Sequence, residues 1–390
     1  MRVCIWTTSL QADTLALAIA LDRDPEVELL VVAASLEAYR NEPIARFCPL
    51  SCQLLDRSRD DHESIVRAFD ADVFFADNHM PKYLAGRKMV FFWHGVPLKI
   101  RPRRDIRSFH KNSKRLIGTT TKPNPRFLAQ CYQQMDYQHR VNHWNIDPSN
   151  CRIWGSAYSD LLINPPYQRA DLEDYYQLDL TGRKNILLSL TWNFGAQAFG
   201  VLGDDDAIYT ELLETAAARD ANLIFSLHDK FRYPPELIEK IESYASRYPN
   251  SYIKYKNEHA DNLADLVVSD VMICNFSSFI VFHYFMGKPS IHIQPVDLKK
   301  WFIGLPTMRR GEVQSVFRRN NESLWLYPFE DCGGSLPQNQ QQLIADINHS
   351  LDHSDYCSDR ARRFIEDKVY RPDGNTCARI IDDIKQWAHD

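Results

Sequence analysis

The chain has 390 residues, of which 44% are hydrophobic and 25% charged, with a formal net charge of −5 at pH 7. These are globular proportions, but the length exceeds one comfortable core and implies two domains. The weakly acidic balance excludes general nucleic-acid binding. No apolar run reaches the ~18–20 residues that span a bilayer, so any membrane contact is expected to be peripheral. The nine cysteines are odd in number and scattered. They read as reduced cytoplasmic thiols rather than a disulfide framework.

In chain order, Met1-Arg2-Val3-Cys4-Ile5-Trp6 reads as a first strand, with no secretory leader ahead of it. Further strands are expected at 27–33, 72–76, 89–93, 115–118 and 151–154, with helices at 11–21 and 62–69 between them. Strand and helix in alternation predict a parallel sheet covered on both faces. No GxGxxG follows the first strand, which makes a dinucleotide enzyme a minor prospect. Pro165-Pro166 breaks the pattern. The alternation then restarts, with strands expected at 185–190, 223–227, 252–255, 271–274 and 290–293. The helices of this half are expected at 207–218, 235–248, 259–268 and 279–286. The expected division is a first domain over 1–168, a second over 169–372, and a terminal helix within 373–390 that is free to return to the first.

The candidate chemistry sits at strand ends. The run Met89–Trp93 stops abruptly at His94-Gly95-Val96-Pro97-Leu98-Lys99. In an open α/β sheet, ligands gather beyond the carboxyl ends of strands, so this pattern predicts a general base beside an anion site. Gly95 permits close backbone approach, and Pro97 fixes the exit path. Thr191-Trp192-Asn193, His228-Asp229 and Asn275-Phe276-Ser277-Ser278 close later strands, and Arg371-Pro372-Asp373-Gly374-Asn375 precedes the last helix. Serine hydroxyls and free N–H groups where a helix begins suit a diphosphate, although Ser and Asn are also ordinary N-caps.

Taken together, these segments resemble the CDP-glycerol glycerophosphotransferases, the teichoic-acid primases and polymerases, and related capsule-polymer enzymes. The family's His-Gly-Thr-Pro-Leu-Lys matches His94–Lys99, with Val96 in place of threonine. Its Pro-Thr-Trp-Arg is similar to Leu190–Asn193, and its Lys-Leu-His-Pro to Ser226–Asp229. Its Asp-Tyr-Ser-Ser, then a helix and Lys-Pro, resembles Asn275–Ser278 with Lys288-Pro289. Its terminal Asp-Gly with a following base resembles Asp373-Gly374 and Arg379. The departures Asn193, Asp229 and Asn275 fall in the second half. They leave the donor open among CDP-glycerol, CDP-ribitol and a nucleotide sugar.

The resemblance implies an α/β, GT-B-like fold of two Rossmann-like parallel-sheet domains facing across a cleft. It implies transfer of glycerol phosphate, or another alditol phosphate, from a CDP-alditol to a hydroxyl of a cell-surface polymer or lipid-linked acceptor, with release of CMP. His94 would take the acceptor's proton, a role that a near-neutral imidazole suits. His228 would hold the diphosphate together with Ser277 and Ser278. Thr191, Trp192, Asn275 and Lys288 complete the expected donor set, and Gly95, Lys99, Arg101, Arg103 and Arg104 the acceptor or anion set. No metal or other cofactor is needed on this reading. Asp204-Asp205-Asp206 is the nearest cation candidate, but it reads first as the acidic start of a helix.

Between Lys99 and Arg126 stand ten Lys or Arg residues against one acid, Asp105. That concentration would attract a polyanionic acceptor or the anionic inner leaflet of the cell membrane. Its few aromatics argue against a platform for single-stranded nucleic acid. The expected location is cytoplasmic, with peripheral contact on the inner membrane face left open. Two other readings stay open: a glycosyltransferase using a nucleotide sugar for capsule or lipopolysaccharide, and a non-catalytic GT-B-like protein that binds a nucleotide or polymer.

Overall fold

The computed structural model describes residues 1–34, 36–77, 80–93, 95–98, 106–107, 109–111, 116–117, 119, 122–190, 199–233, 235–275, 277–294, 302–309, 312–319 and 328–389. The first sheet contains β1 (Arg2–Thr7), β2 (Glu28–Ala33), β3 (Gln53–Asp56), β4 (Val73–Asp77), β5 (Lys88–Phe92), β6 (Phe127–Cys131) and β7 (Cys151–Ile153). All seven pair in parallel, in the order β3-β2-β1-β4-β5-β6-β7. The second contains β8 (Asn185–Ser189), β9 (Asn222–Leu227), β10 (Ser251–Tyr255), β11 (Val271–Cys274) and β12 (Ser290–His292). These are also parallel, in the order β10-β9-β8-β11-β12. The chain therefore has the expected two Rossmann-like sheets. Each reverses its winding once, between β1 and β4 and between β8 and β11.

Two expectations need correction. The strand beside β5 is Phe127–Cys131, not 115–118. Leu116 and Ile117 are buried as core residues outside any strand. That apolar pair is too short for a central strand, whereas Phe127–Cys131 is buried throughout, Gln130 included. β3 was not expected either; of its four residues only Leu55 is buried, as befits an edge. A hairpin, β13 (Phe302–Arg309) and β14 (Glu312–Arg319), adds an antiparallel element to an otherwise parallel chain.

The helix α1 (Ala12–Asp22) shows how the halves are joined. Its run of Ala and Leu favours helix, and nine of its eleven residues are buried, Asp13 and Thr14 among them, so it lies between layers. Its first N–H, on Ala12, donates to Asp261 Oδ1 of the second half at 3.0 Å. Tyr158, in the helix Tyr158–Ile163, sends its hydroxyl to Asp261 Oδ2 at 2.7 Å, and its ring meets Phe282 edge-on at 4.9 Å. The last helix, Thr376–His389, lies back on the first sheet's side. Asp383 there accepts from Trp154 Nε1 at 2.7 Å, and Lys385 pairs with Asp24 at 2.7 Å.

A buried charge cluster completes the joint. Lys254 is 1% exposed, and its ammonium lies 3.4 Å from Glu42 Oε1 and 3.3 Å from Asp265 Oδ2. It also donates to the Asp261 carbonyl at 2.5 Å. One ammonium thus faces two buried carboxyls. Burial, outweighing the pull of Lys254, pushes Glu42 up to about 8.

Candidate active site between the sheet ends

Ligands of doubly wound sheets bind where the winding reverses, at the carboxyl ends of the strands. In the first sheet that point is marked by Asp77, the last residue of β4. It accepts Thr7 Oγ1 at 2.7 Å, the Thr8 N–H at 3.1 Å and Thr8 Oγ1 at 3.3 Å, all from the end of β1. One strand over, β5 leads to Gly95, whose φ is +129°. Its N–H donates to Tyr132 Oη at 3.0 Å.

In the second sheet the reversal lies between β8 and β11. Thr191 and Trp192, which follow β8, lie outside the described residues, as do His94, Lys99, Arg101, Arg103 and Arg104. After β11, the Asn275 carbonyl accepts the Ser277 N–H at 2.7 Å, and Ser277 Oγ accepts the Phe279 N–H at 3.3 Å. Ser277 thus helps to start the seven-residue helix Phe279–Phe285. Ser278 instead faces the first sheet.

The two halves meet here. A methyl group on Gly95 would stand 3.0 Å from Ser278 Oγ and 3.5 Å from Phe282 Cζ. Only glycine combines this approach with that φ. Gly95→Ala should therefore cost about 1–3 kcal/mol, read as a lower midpoint in urea denaturation; an unchanged midpoint would mean that the contact is soft.

His228 ends β9. Its Nδ1 accepts the main-chain N–H of Asp229 at 2.7 Å, which assigns the neutral ring's hydrogen to Nε2. Asp229 Oδ2 lies 3.0 Å from the same Nδ1 and 2.8 Å from Arg232 Nε, so the guanidinium occupies the carboxylate. Burial holds the His228 imidazole down to about 4 even though Asp229 pulls it upward. At neutral pH it is an uncharged donor. Asp229 is held well below the carboxylate range, in spite of its burial, with the Arg232 guanidinium on it and the charge of Lys256 nearby.

Sequence reasoning missed Lys256, one strand over from His228. Its N–H donates to the Leu227 carbonyl at 3.1 Å, which seats it beside the end of β9. The side chain is half-buried, and its ammonium makes no hydrogen bond or ion pair with any described residue. Burial lowers the ammonium below its ordinary value; Asp229 and Asp77 oppose this, and Arg232 adds to it. Lys256 stands at the same strand tips as His228. Read on the sequence alone, Tyr252-Ile253-Lys254-Tyr255-Lys256 offers two lysines that look like solvent-facing residues of an edge strand.

Other expected residues lie elsewhere. Lys288 precedes β12 and is at the opposite end of the sheet from the strand tips. It donates at 2.8 Å to both the Leu266 and Val267 carbonyls, closing the helix Leu263–Val268, and burial brings it down to about 7. Its place in the expected donor set is corrected accordingly. Asp373 pairs with Arg379 at 2.6 Å near the start of the last helix. Asp204 caps the helix Asp205–Ala218 through the Ala207 N–H at 3.0 Å, Asp205 accepts the Phe199 N–H at 3.1 Å, and Asp206 pairs with Lys240. Asp204 thus caps the helix, while Asp205 and Asp206 are engaged by a neighbouring N–H and a lysine.

No protein-family model matches this sequence, and no curated protein matches it. Solved structures do. The wall teichoic acid polymerase TagF superposes with a TM-score of 0.69 at 16% identity, covering 100% of this chain and 89% of that one. A UDP-GlcNAc 2-epimerase from Neisseria meningitidis bound to UDP-GlcNAc gives 0.59 at 12% identity, covering 99% of this chain and 100% of that one. A glycosyltransferase from Rickettsia africae gives 0.51 at 11% identity, covering 100% and 98%. At such identities the likeness shows the fold. It is the GT-B-like architecture of two sheets facing across a cleft that the motifs implied.

Proposed function

We propose that this chain is a GT-B-type transferase that moves an alditol phosphate, glycerol phosphate first, from a CDP-alditol to a hydroxyl of a surface polymer or lipid-linked acceptor. The observation that carries this reading is the meeting of Gly95 with Ser278, which brings the two motif-bearing strand ends together across the cleft. The chain's likeness to TagF, which has also been soaked with CDPG, supports the same donor class. In this reading the acceptor oxygen forms a bond to the phosphorus nearer the alditol. The bond from that phosphorus to the bridging oxygen breaks, and its electron pair leaves with CMP. His94, assigned from its motif, takes the acceptor's proton. The Nε2–H of His228 and the ammonium of Lys256 receive the phosphate oxygens, where charge develops.

A nucleotide-sugar donor is the second reading. It is favoured by Asp229, which stands where the family has proline and is engaged by both His228 and Arg232.

A panel of CDP-glycerol, CDP-ribitol and UDP-sugars, assayed for released CMP, UMP or UDP, separates the two. Release of CMP from a CDP-alditol is expected; turnover of a UDP-sugar alone would overturn the first reading. In the same panel, Lys256→Met should weaken binding of the productive donor by ~10-fold or more in calorimetry, as expected for losing a charge-assisted phosphate contact. Unaltered affinity would remove Lys256 from the site.

A further inference from the structure

We propose that Asp13, Gln130 and Tyr132 are positioning residues that extend the sheet's own ladder to grip the backbone on both sides of His94. The catalytic consequence rests on the function proposed above; the grip itself does not.

The main-chain register between β5 and β6 runs Met89↔Phe127, Val90↔Leu128 and Phe91↔Ala129, and there it ends. Beyond it, two side chains from the exit of β6 take over. The Trp93 N–H donates to Gln130 Oε1 at 3.4 Å, and the Gly95 N–H donates to Tyr132 Oη at 3.0 Å. Residues 93 and 95 are two apart, as are 130 and 132, so the pleat of the sheet is kept without its backbone. Position 94 lies between the two held groups.

Both gripping side chains are anchored on the same carboxylate. Tyr132 has one proton to give, and it goes to Asp13 Oδ2 at 2.5 Å, which leaves the oxygen's lone pairs for Gly95. Gln130 Nε2 reaches the same Oδ2 at 3.3 Å and the Gly155 carbonyl at 2.9 Å. The other oxygen, Oδ1, takes Ser156 Oγ and the Tyr158 N–H, both at 2.8 Å. Asp13 is 1% exposed, and Gln130 and Tyr132 are fully buried. A buried tyrosine needs a partner in any fold. A core role alone, however, would not require its oxygen to accept from the backbone beyond the last paired residue of β5 and β6. Nor would it require a second side chain to repeat that contact two residues earlier. The assembly sits at the start of α1, where Asp261 also binds the Ala12 N–H, so the loop's seat is braced against the second domain.

The test compares Tyr132→Phe with Tyr176→Phe in the full chain. Tyr176 makes the same 2.5 Å contact with a buried carboxylate, Asp265, but does not touch the β5 exit. Hydrogen exchange of the peptide spanning 93–98 should be slow in the unsubstituted protein. It should quicken by ~10-fold or more in Tyr132→Phe and stay slow in Tyr176→Phe. With CDP-glycerol as the probe, kcat should fall by ~10–100-fold in Tyr132→Phe while donor affinity by calorimetry is retained, because misplacing a reacting group costs rate more than binding. Equal exchange in the two variants would overturn the proposal. So would rapid exchange of the Gly95 amide in the unsubstituted protein, a measurement that needs no variant to fold. If the unsubstituted protein turns over no donor in the panel, the functional reading fails on its own, and the exchange result still decides whether the grip exists.

Discussion

Replacing Lys254 by methionine should cost about 3–5 kcal/mol of stability, the usual penalty for leaving buried charge without its partner. Methionine fills the same volume, so the loss is electrostatic rather than steric. Asp265, 3.3 Å from the ammonium, would be stranded at the joint between the sheets, while Glu42, 3.4 Å away, keeps its proton below about pH 8. Chemical denaturation of the two proteins side by side measures it; a shift below about 1 kcal/mol would mean that the site hydrates instead. The same cluster predicts a pH dependence. Glu42 is raised from 4.5 to about 8 in the folded state. Between those values the folded chain holds a proton that the unfolded chain has released, so stability falls as pH rises through that window and levels off above it. Glu42→Gln should remove that slope. If the slope is the same with and without the glutamate, another group carries it.

The second large effect is expected at His228. His228→Ala should lower kcat/KM for the productive donor by ~10²–10³, the range seen when one preorganised donor to developing charge is removed. Because burial holds this imidazole to about 4, the wild-type rate should show no inflection from His228 between pH 5 and 8. His228→Gln can place an amide N–H near the position of Nε2 and should recover part of the loss. Initial rates of nucleotide release measure both. A glutamine variant as poor as the alanine variant would refute the neutral-donor role and return His228 to a charged one.

Much of this architecture was legible because periodicity and strand-end residues are local. The strands at β8, β9 and β11 were visible as short apolar runs between helical patterns. β3 escaped because an edge strand with one buried residue has no apolar run. β6 escaped because Gln130 interrupts it with a polar residue whose partners lie on β5 and α1. The same limit hid half of the site. Lys254 and Lys256 stand two apart in one strand exit, yet one is buried against Glu42 and Asp265 and the other makes no ion pair among the described residues. Lys288 erred in the other direction: a lysine placed by motif alone stands at the wrong end of its strand.

The return of the last helix to the first sheet has a consequence for how the protein is made. Trp154 and Lys88 are synthesised well before their partners Asp383, Trp387 and Ala388. At ordinary elongation rates the first half therefore waits some tens of seconds with a face of its core uncovered. Its assembly is completed only by the helix Thr376–His389, after the second half has had time to fold. Synthesis order and assembly order are thus decoupled, and the nascent first half is the stage at which a chaperone would be most useful.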